Sequence, residues 1–310
     1  MDLNLLTISR RAGLSNIIKN CFGDAETKIL DLKNINNKIK NSSDFSDEEK
    51  LQSLEFTIIG TVSIFEHQIN ELLKQILISY PKKFKDRKFD IAELLEEGSV
   101  LELFQKKATQ KILDLAYGKF ETFIKSLSEI LELTTDLDKN LINEINEIKC
   151  TRDCIIHSQS KATDLYINKA GANAREHFTN SKLVIDYPYV ENAITKIQQL
   201  LNTIYDTIPQ KYKAYNSSYV FKQMWEATCL SDRIDFNTAW EITNSNTVRP
   251  IDLEREYGFS SSEMVVYNLF RHIYNCHNYQ VDFGFYFRKW KPQSKEYQIA
   301  ISWLDYQFYF

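Results

Sequence analysis

The chain has 310 residues, 38 Lys+Arg against 42 Asp+Glu, a formal net charge of −4 and a pI near 5.8. That length exceeds one average domain and suffices to bury a sizeable core, and an apolar fraction of 43% with 26% charged residues is ordinary for a globular protein. Eight Gly and five Pro exclude collagen-like, low-complexity and loop-dominated all-β chains, and the acidic balance excludes a generally basic nucleic-acid coat while leaving room for a local basic site.

Residues 1–45 are rich in Asn and Lys with scattered apolar positions, which predicts a helical extension of one or two short helices ending in the polar break NSSDFSD, 41–47. The first 20 residues lack the apolar segment and cleavage site of a signal peptide. They resemble an organellar transit peptide only in their basic residues, and Asp2 and the short length count against one. Ser46 and Glu49 form a capping box that opens a long helix to about Ser79, where Pro81 stops it. Leu51, Leu54, Ile58, Val62, Phe65, Ile69, Leu72 and Ile76 recur along it at three- and four-residue steps and require a helical partner face. Within it, FTIIGTVSIF (56–65) is too short to span a bilayer, and no 18-residue apolar run occurs.

PKKFKDRKFD (81–90) sets Lys82, Lys83, Lys85, Arg87 and Lys88 against two aspartates: a solvated connector or a phosphate-binding strip for RNA. Asp90 with Glu93 and Ser99 with Glu102 are caps of further helices. Leu101, Phe104, Ala108, Ile112 and Leu115 make the next apolar stripe. Helices are expected over 119–133, over 136–157, and from Pro188 to about residue 207. After Pro209 the composition turns aromatic, with twelve Phe, Tyr or Trp among the 32 residues 279–310. VDFGFYF (281–287) and YQIAISW (297–303) alternate at period two around KWKPQSKE and predict a β-hairpin. Ser260 and Glu263 cap a helix through Ile273. The fold class read from this pattern is mainly α. Its domains are an extension (1–45), a helical body (46–208) and a small α+β module (209–310) with an aromatic hairpin. That hairpin can be simple core, a stacking platform for RNA bases with Arg288, Lys289, Lys291 and Lys295 at its turn, or a docking face.

Chemistry concentrates in EIKCTRDCIIHSQSKATDLYINKAG, 147–171. Arg152 and His157 are separated by four residues at a helix terminus, with Asp153 directly after the arginine. Histidine, with an unperturbed pKa near ~6.5, serves as base or acid at neutral pH. Arginine stays protonated and offers a planar fork to phosphate oxygens. Together they suit RNA cleavage by 2′-OH attack, leaving a 2′,3′-cyclic phosphate and a 5′-hydroxyl without a metal. At about 100° per residue the two lie about 140° apart around a helix, so they do not share a face. Asp153 and His157 do, which assigns Asp153 to orienting His157 or raising its basicity. Arg152 then either reaches around or meets the His157 of a second copy.

Arg-polar-x-x-x-His, flanked by Ile155-Ile156, a polar run, the tyrosine of LYINK and a closing helix at 188–207, resembles the signature of the HEPN superfamily. These are all-α domains found in many RNases of toxin and antiviral systems. The long helix ending near Ser79, with Glu66 in IFEHQINELL, is similar to the first helix of such domains. The resemblance covers roughly residues 46–208. It implies a HEPN-like bundle, a metal-independent endoribonuclease with Arg152 and His157 as catalytic residues, no cofactor, and a two-fold homodimer whose sites converge in one cleft. It further implies RNA as substrate, a toxin or phage-defence setting, and an antitoxin or other defence protein as a partner. A degraded, noncatalytic HEPN-like adaptor binding a protein or nucleotide, and an unrelated helical protein, are the competing readings.

Cys150, Cys154 and His157 make a stripe at i, i+4, i+7, but no fourth ligand stands near, and buried cysteines are the simpler account. No metal site is assigned. His67, His177, His272 and His277 read as surface or packing residues. No P-loop, GxGxxG, GxSxG, HExxH or EF-hand pattern occurs. The five cysteines (Cys21, Cys150, Cys154, Cys229, Cys276) contain no CxxC pair and form no disulfide framework, so the expected compartment is the reducing cytoplasm, without a membrane.

Overall fold

The structure is a computed structural model that describes residues 3–84, 100–213, 217–244, 247–252, 257–275, 281–292 and 294–306. It is mainly helical, with one two-stranded antiparallel sheet towards the C-terminus. The chain divides into two compact units, one of residues 18–77 and 86–209 and the other of 1–17, 78–85 and 210–310. No helix of the described residues is long and apolar enough to cross a membrane.

Helix α1 (Leu3–Asn41), of which residues 18–41 belong to the first unit, is a single 39-residue helix rather than one or two short ones. Its Asn- and Lys-rich composition hides a stripe of Leu14, Ile18, Cys21, Ala25 and Ile29, all buried, and packing of that stripe overrides the modest local propensity. A polar turn leads into α2 (Asp47–Ser79). The backbone N–H of Ser46 donates to Glu49 Oε2 at 2.7 Å, the Glu49 N–H donates to Ser46 Oγ at 3.3 Å, and the reciprocal pair starts the helix. The two helices approach closely at Gly60, where a Cβ would stand 2.8 Å from Leu32 Cδ1. Leu54, Ile58, Val62, Phe65, Ile69, Leu72 and Ile76 of α2 are buried, seven of the eight positions of the stripe read from the sequence. Each such side chain contributes about 1.5–3 kcal/mol when fully buried.

The body continues with α3 (Val100–Ala116), α4 (Phe120–Leu131), α5 (Lys139–Ser158), α6 (Asp164–Ala170) and α7 (Tyr187–Thr207). Helix α7 begins at Asp186, whose carboxylate accepts the Tyr189 N–H at 2.9 Å, with Pro188 in the first turn. Helix α5 ends where Gln159 and Ser160 both take positive φ (51° and 59°), which turns the chain back along the helix end. The turned strand is held by the Ala162 N–H donating to Ser181 O and the Leu183 N–H donating to Ser160 O, each at 2.8 Å.

The second unit contains α8 (Gln210–Lys213), α9 (Ser217–Glu226), α10 (Phe236–Ala239), β1 (Trp240–Ile242), β2 (Val248–Pro250), α11 (Ser261–Tyr274), α12 (Phe283–Lys289) and α13 (Lys295–Tyr306). The strands pair with Glu241 opposite Arg249. The capping box of Ser260 and Glu263 opens α11. The core is aromatic: Phe221, Trp225, Trp240 and Phe270 are fully buried, with Phe221 and Trp240 centroids 4.8 Å apart and edge-on.

The expected hairpin of 281–287 and 297–303 is not formed. Residues 283–287 lie in α12 and 297–303 in α13, and the two-stranded sheet stands at 240–250 instead. The alternating pattern also contains i, i+4 pairs, Phe283 with Phe287 and Tyr297 with Ile301, which satisfy a helical face equally well. Asp282 and Ser294 accept the N–H groups of Phe285 at 3.0 Å and Tyr297 at 3.2 Å, start signals that a strand would not use. Phe283 and Phe287 pack on the module core, so the sheet-like stacking platform for RNA bases falls away with the hairpin. His272, buried with its ring 5.2 Å from Phe283, is a packing residue.

Candidate functional site

Helices α2 and α5 bring Glu66 and Arg152, 86 residues apart, into contact: Arg152 Nη2 donates to Glu66 Oε2 at 2.7 Å. The other Glu66 oxygen accepts from Lys149 Nζ, so one carboxylate ties two cations of α5. Arg152 Nε stands 3.3 Å from Asp153 Oδ1. Asp153 is thus the companion of Arg152. No hydrogen bond joins it to His157 among the described residues, and the orienting role read for it from helix spacing has no contact behind it. His157 is exposed in the last turn of α5, and its neighbour Ile156 is also exposed, 46%.

Arg152 and Asp153 border a cleft of about 680 Å³, whose wall also includes Glu66, Lys149 and the start of α4. His157 does not line this cleft. The two residues of the motif therefore face different surroundings within one chain, as the helical angle requires.

A second cluster, which the sequence reading did not assign, lies on another face of α5. Glu147, 5% exposed, accepts at Oε1 from Thr151 Oγ1 at 2.7 Å, Tyr166 OH at 2.7 Å and Arg175 Nε at 3.0 Å. Its Oε2 accepts from Tyr189 OH at 3.0 Å. The Arg175 guanidinium lies 3.6 Å from the centroid of the Tyr189 ring. Burial, reinforced by the Glu147 carboxylate, holds the Tyr166 and Tyr189 phenols well above the usual tyrosine range, so both remain donors. A buried carboxylate with four donors is fully satisfied and joins α5, α6, α7 and the 171–186 segment. The available signal was Glu147 set on a face with Cys150, Thr151 and Cys154, where an acid has no reason to stand unless it is paired.

Cys150 and Cys154 belong to a buried cluster with Ala162, Tyr166 and Leu183, and burial pushes the Cys150 thiol up to about 12. With His157 exposed, the cysteine–histidine stripe does not close around a common point. Among the described residues no group of three or more His, Cys, Asp and Glu is placed to hold a metal.

Of the basic connector, Lys82 is exposed in the 3₁₀ turn at 81–83, and Lys83 Nζ sits 5.5 Å from the Tyr212 ring centroid. Lys85, Arg87 and Lys88 lie outside the described residues, as do Asp90, Glu93, Ser99, Cys276 and His277. His67 and His177 are exposed.

Comparison of the chain with protein-family models, with curated proteins and with solved structures finds no match.

Proposed function

We propose that the chain is a metal-independent endoribonuclease of the HEPN type, acting on RNA with Arg152 and His157 as its catalytic residues. The Glu66–Arg152 pair supports the reading best. The family resemblance singled out Glu66 on the first long helix and Arg152 on the penultimate one, and the two side chains meet at 2.7 Å. In this mechanism His157 takes the 2′-OH proton or protonates the leaving 5′-oxygen, and Arg152 stabilises charge on the phosphorane. Glu66 holds the guanidinium by Nη2 and Asp153 flanks Nε, which leaves Nη1 for phosphate.

Arg152 and His157 do not converge within one chain. A composite site solves this: a two-fold homodimer apposing the C-terminal half of α5 to itself sets Arg152 of one copy near His157 of the other. The exposed Ile156 and Phe56 (68% exposed) supply apolar surface for that contact. The toxin or phage-defence setting, with an antitoxin as partner, is carried by the resemblance alone, and the cytoplasmic compartment by the cysteine pattern.

Incubation of purified protein with a mixed RNA pool in excess EDTA tests the proposal. Cleavage to 2′,3′-cyclic phosphate and 5′-hydroxyl ends is expected. His157→Ala removes about 10²–10⁴ of the rate, the usual range for acid–base catalysis, with an unchanged circular dichroism spectrum because the side chain is exposed. Arg152→Ala mixed with His157→Ala restores part of the activity when the residues act in trans. Intact RNA at every concentration of folded wild type would end the enzyme reading.

The competing reading is a noncatalytic helical adaptor, favoured by the neutralisation of Arg152 by Glu66 and its contact with Asp153. In that case Arg152→Ala destabilises the fold and wild type leaves RNA untouched.

A further inference from the structure

The cleft beside Arg152 has features that the catalytic pair does not account for. Its volume of about 680 Å³ falls within the roughly 300–1,000 Å³ of small-ligand sites. Four cations line it, Lys119, Lys149, Arg152 and Lys169, against three carboxylates, Glu66, Glu121 and Asp153. The excess is positive in a chain whose net charge is −4.

The cations are not equivalent. Lys149 and Arg152 share Glu66. Lys119 and Lys169 are exposed, and no ion pair holds either among the described residues. They stand on separate elements, at the N-cap of α4 and in the last turn of α6, with the cleft opening between them.

The remaining wall suits a base. Asn70, Asn143 and Asn168 present amides that both donate and accept. The Asn146 amide nitrogen donates to Lys169 O at 2.6 Å, which orients its carbonyl oxygen as a fixed acceptor. Phe120 and Phe123, both buried, belong to the lining, and Lys149 Nζ sits 4.9 Å from the Phe120 centroid. Neutral amides in the lining, with two exposed ammonium groups outside any ion pair among the described residues, match the edge of a nucleobase and the phosphates on either side of it.

We infer that this cleft is a binding subsite for single-stranded RNA, taking one nucleotide beside the scissile phosphate and gripping its backbone through Lys119 and Lys169. The inference rests on the ribonuclease reading for its substrate, yet it concerns binding and is measurable without cleavage.

The test uses the full chain carrying His157→Ala and a fluorescein-labelled 12-nucleotide RNA of mixed sequence, followed by fluorescence anisotropy. Lys119→Glu with Lys169→Glu is expected to weaken binding at least tenfold. Neutralising the same pair, Lys119→Gln with Lys169→Gln, is expected to reduce the slope of log K against log salt by about 1.4, two phosphate contacts at ~0.7 each. The charge-matched control Lys28→Glu with Lys38→Glu, on exposed positions of α1, changes affinity less than threefold. Equal weakening by the cleft pair and the control pair overturns the inference, as does an RNA affinity too weak to measure. Cleft-dependent binding by a wild type that never cuts RNA keeps the subsite and ends the nuclease. Cleavage with an unchanged KM in the Lys119→Glu, Lys169→Glu protein ends the subsite and keeps the nuclease.

Discussion

Residues 18–77 and 86–209 bury a carboxylate among four donors, whereas the unit carrying 210–306 buries indole and phenyl rings against one another. In the first, Glu147 fixes the mutual placement of α5, α6 and α7 through directional contacts at 2.7–3.0 Å. In the second, Trp225 meets Phe236, Trp240, Tyr267 and Phe270 with centroids 5.3–6.5 Å apart, all edge-on. Hydrogen bonds fix angles and distances, and rings exclude water in bulk. The unit that carries Arg152 has the directional interior. The aromatic unit holds no comparable buried charge among its described residues.

Trp225→Ala tests the ring side of this contrast most severely. Removing a fully buried indole costs about 3–5 kcal/mol, and its loss is expected to unfold the aromatic core while α5 keeps its helicity. All four tryptophans lie between residues 225 and 303, so their emission reports this unit alone. A large red shift with retained amide protection in α5 is the expected result, and simultaneous loss of both would erase the contrast.

Glu147→Leu tests the polar side. It strands Arg175 and three hydroxyls, at an expected cost of about 3 kcal/mol, the lower end for breaking a buried ionic contact. Adding Arg175→Met should recover a large part, since removing both partners leaves fewer groups unsatisfied. Chemical denaturation followed by circular dichroism measures both. An additive double variant would mean that the four-donor cluster does not act as a unit.

The smallest effect is expected at the cap of α11. Ser260→Ala should cost about 1 kcal/mol, typical of an N-cap. The backbone N–H of Ser260, then its hydroxyl, hold the Glu263 carboxyl below its usual value. A lowered folded pKa means the contribution of this carboxylate is present above the unfolded value near 4.5 and fades as pH falls through the folded one. The difference between wild type and Ser260→Ala should therefore shrink on titration from pH 7 to pH 3, read by thermal melting of the tryptophan signal.

Legibility in the sequence followed the strength of local signals rather than length, since the 39-residue α1 read as one or two short helices. The stripe of α2, its capping box, Pro81, and Pro188 at the start of α7 are local signals, and these helices stand where they were expected. The short aromatic segments of 281–303 were misread, because seven residues of alternating rings fit two periods and only packing on the core with Asp282 and Ser294 as caps chooses between them. Glu147 was overlooked for a different reason. Its four partners are spread from Thr151 to Tyr189, and only Thr151 shares its helix face.

By itself the sequence determined a mainly helical chain, the long helices after residue 46 with their capping signals, and the Arg152–His157 spacing with the angle that keeps the pair apart. Those properties reside in neighbours along the chain, where propensity, periodicity and capping act over a few residues. Tertiary structure decided that Glu66 meets Arg152, that Asp153 sides with the arginine and not the histidine, and that Lys119 and Lys169 open onto one cleft. Contacts between side chains up to 86 residues apart depend on how helices pack, and packing is set by the whole buried surface rather than by any local run of residues.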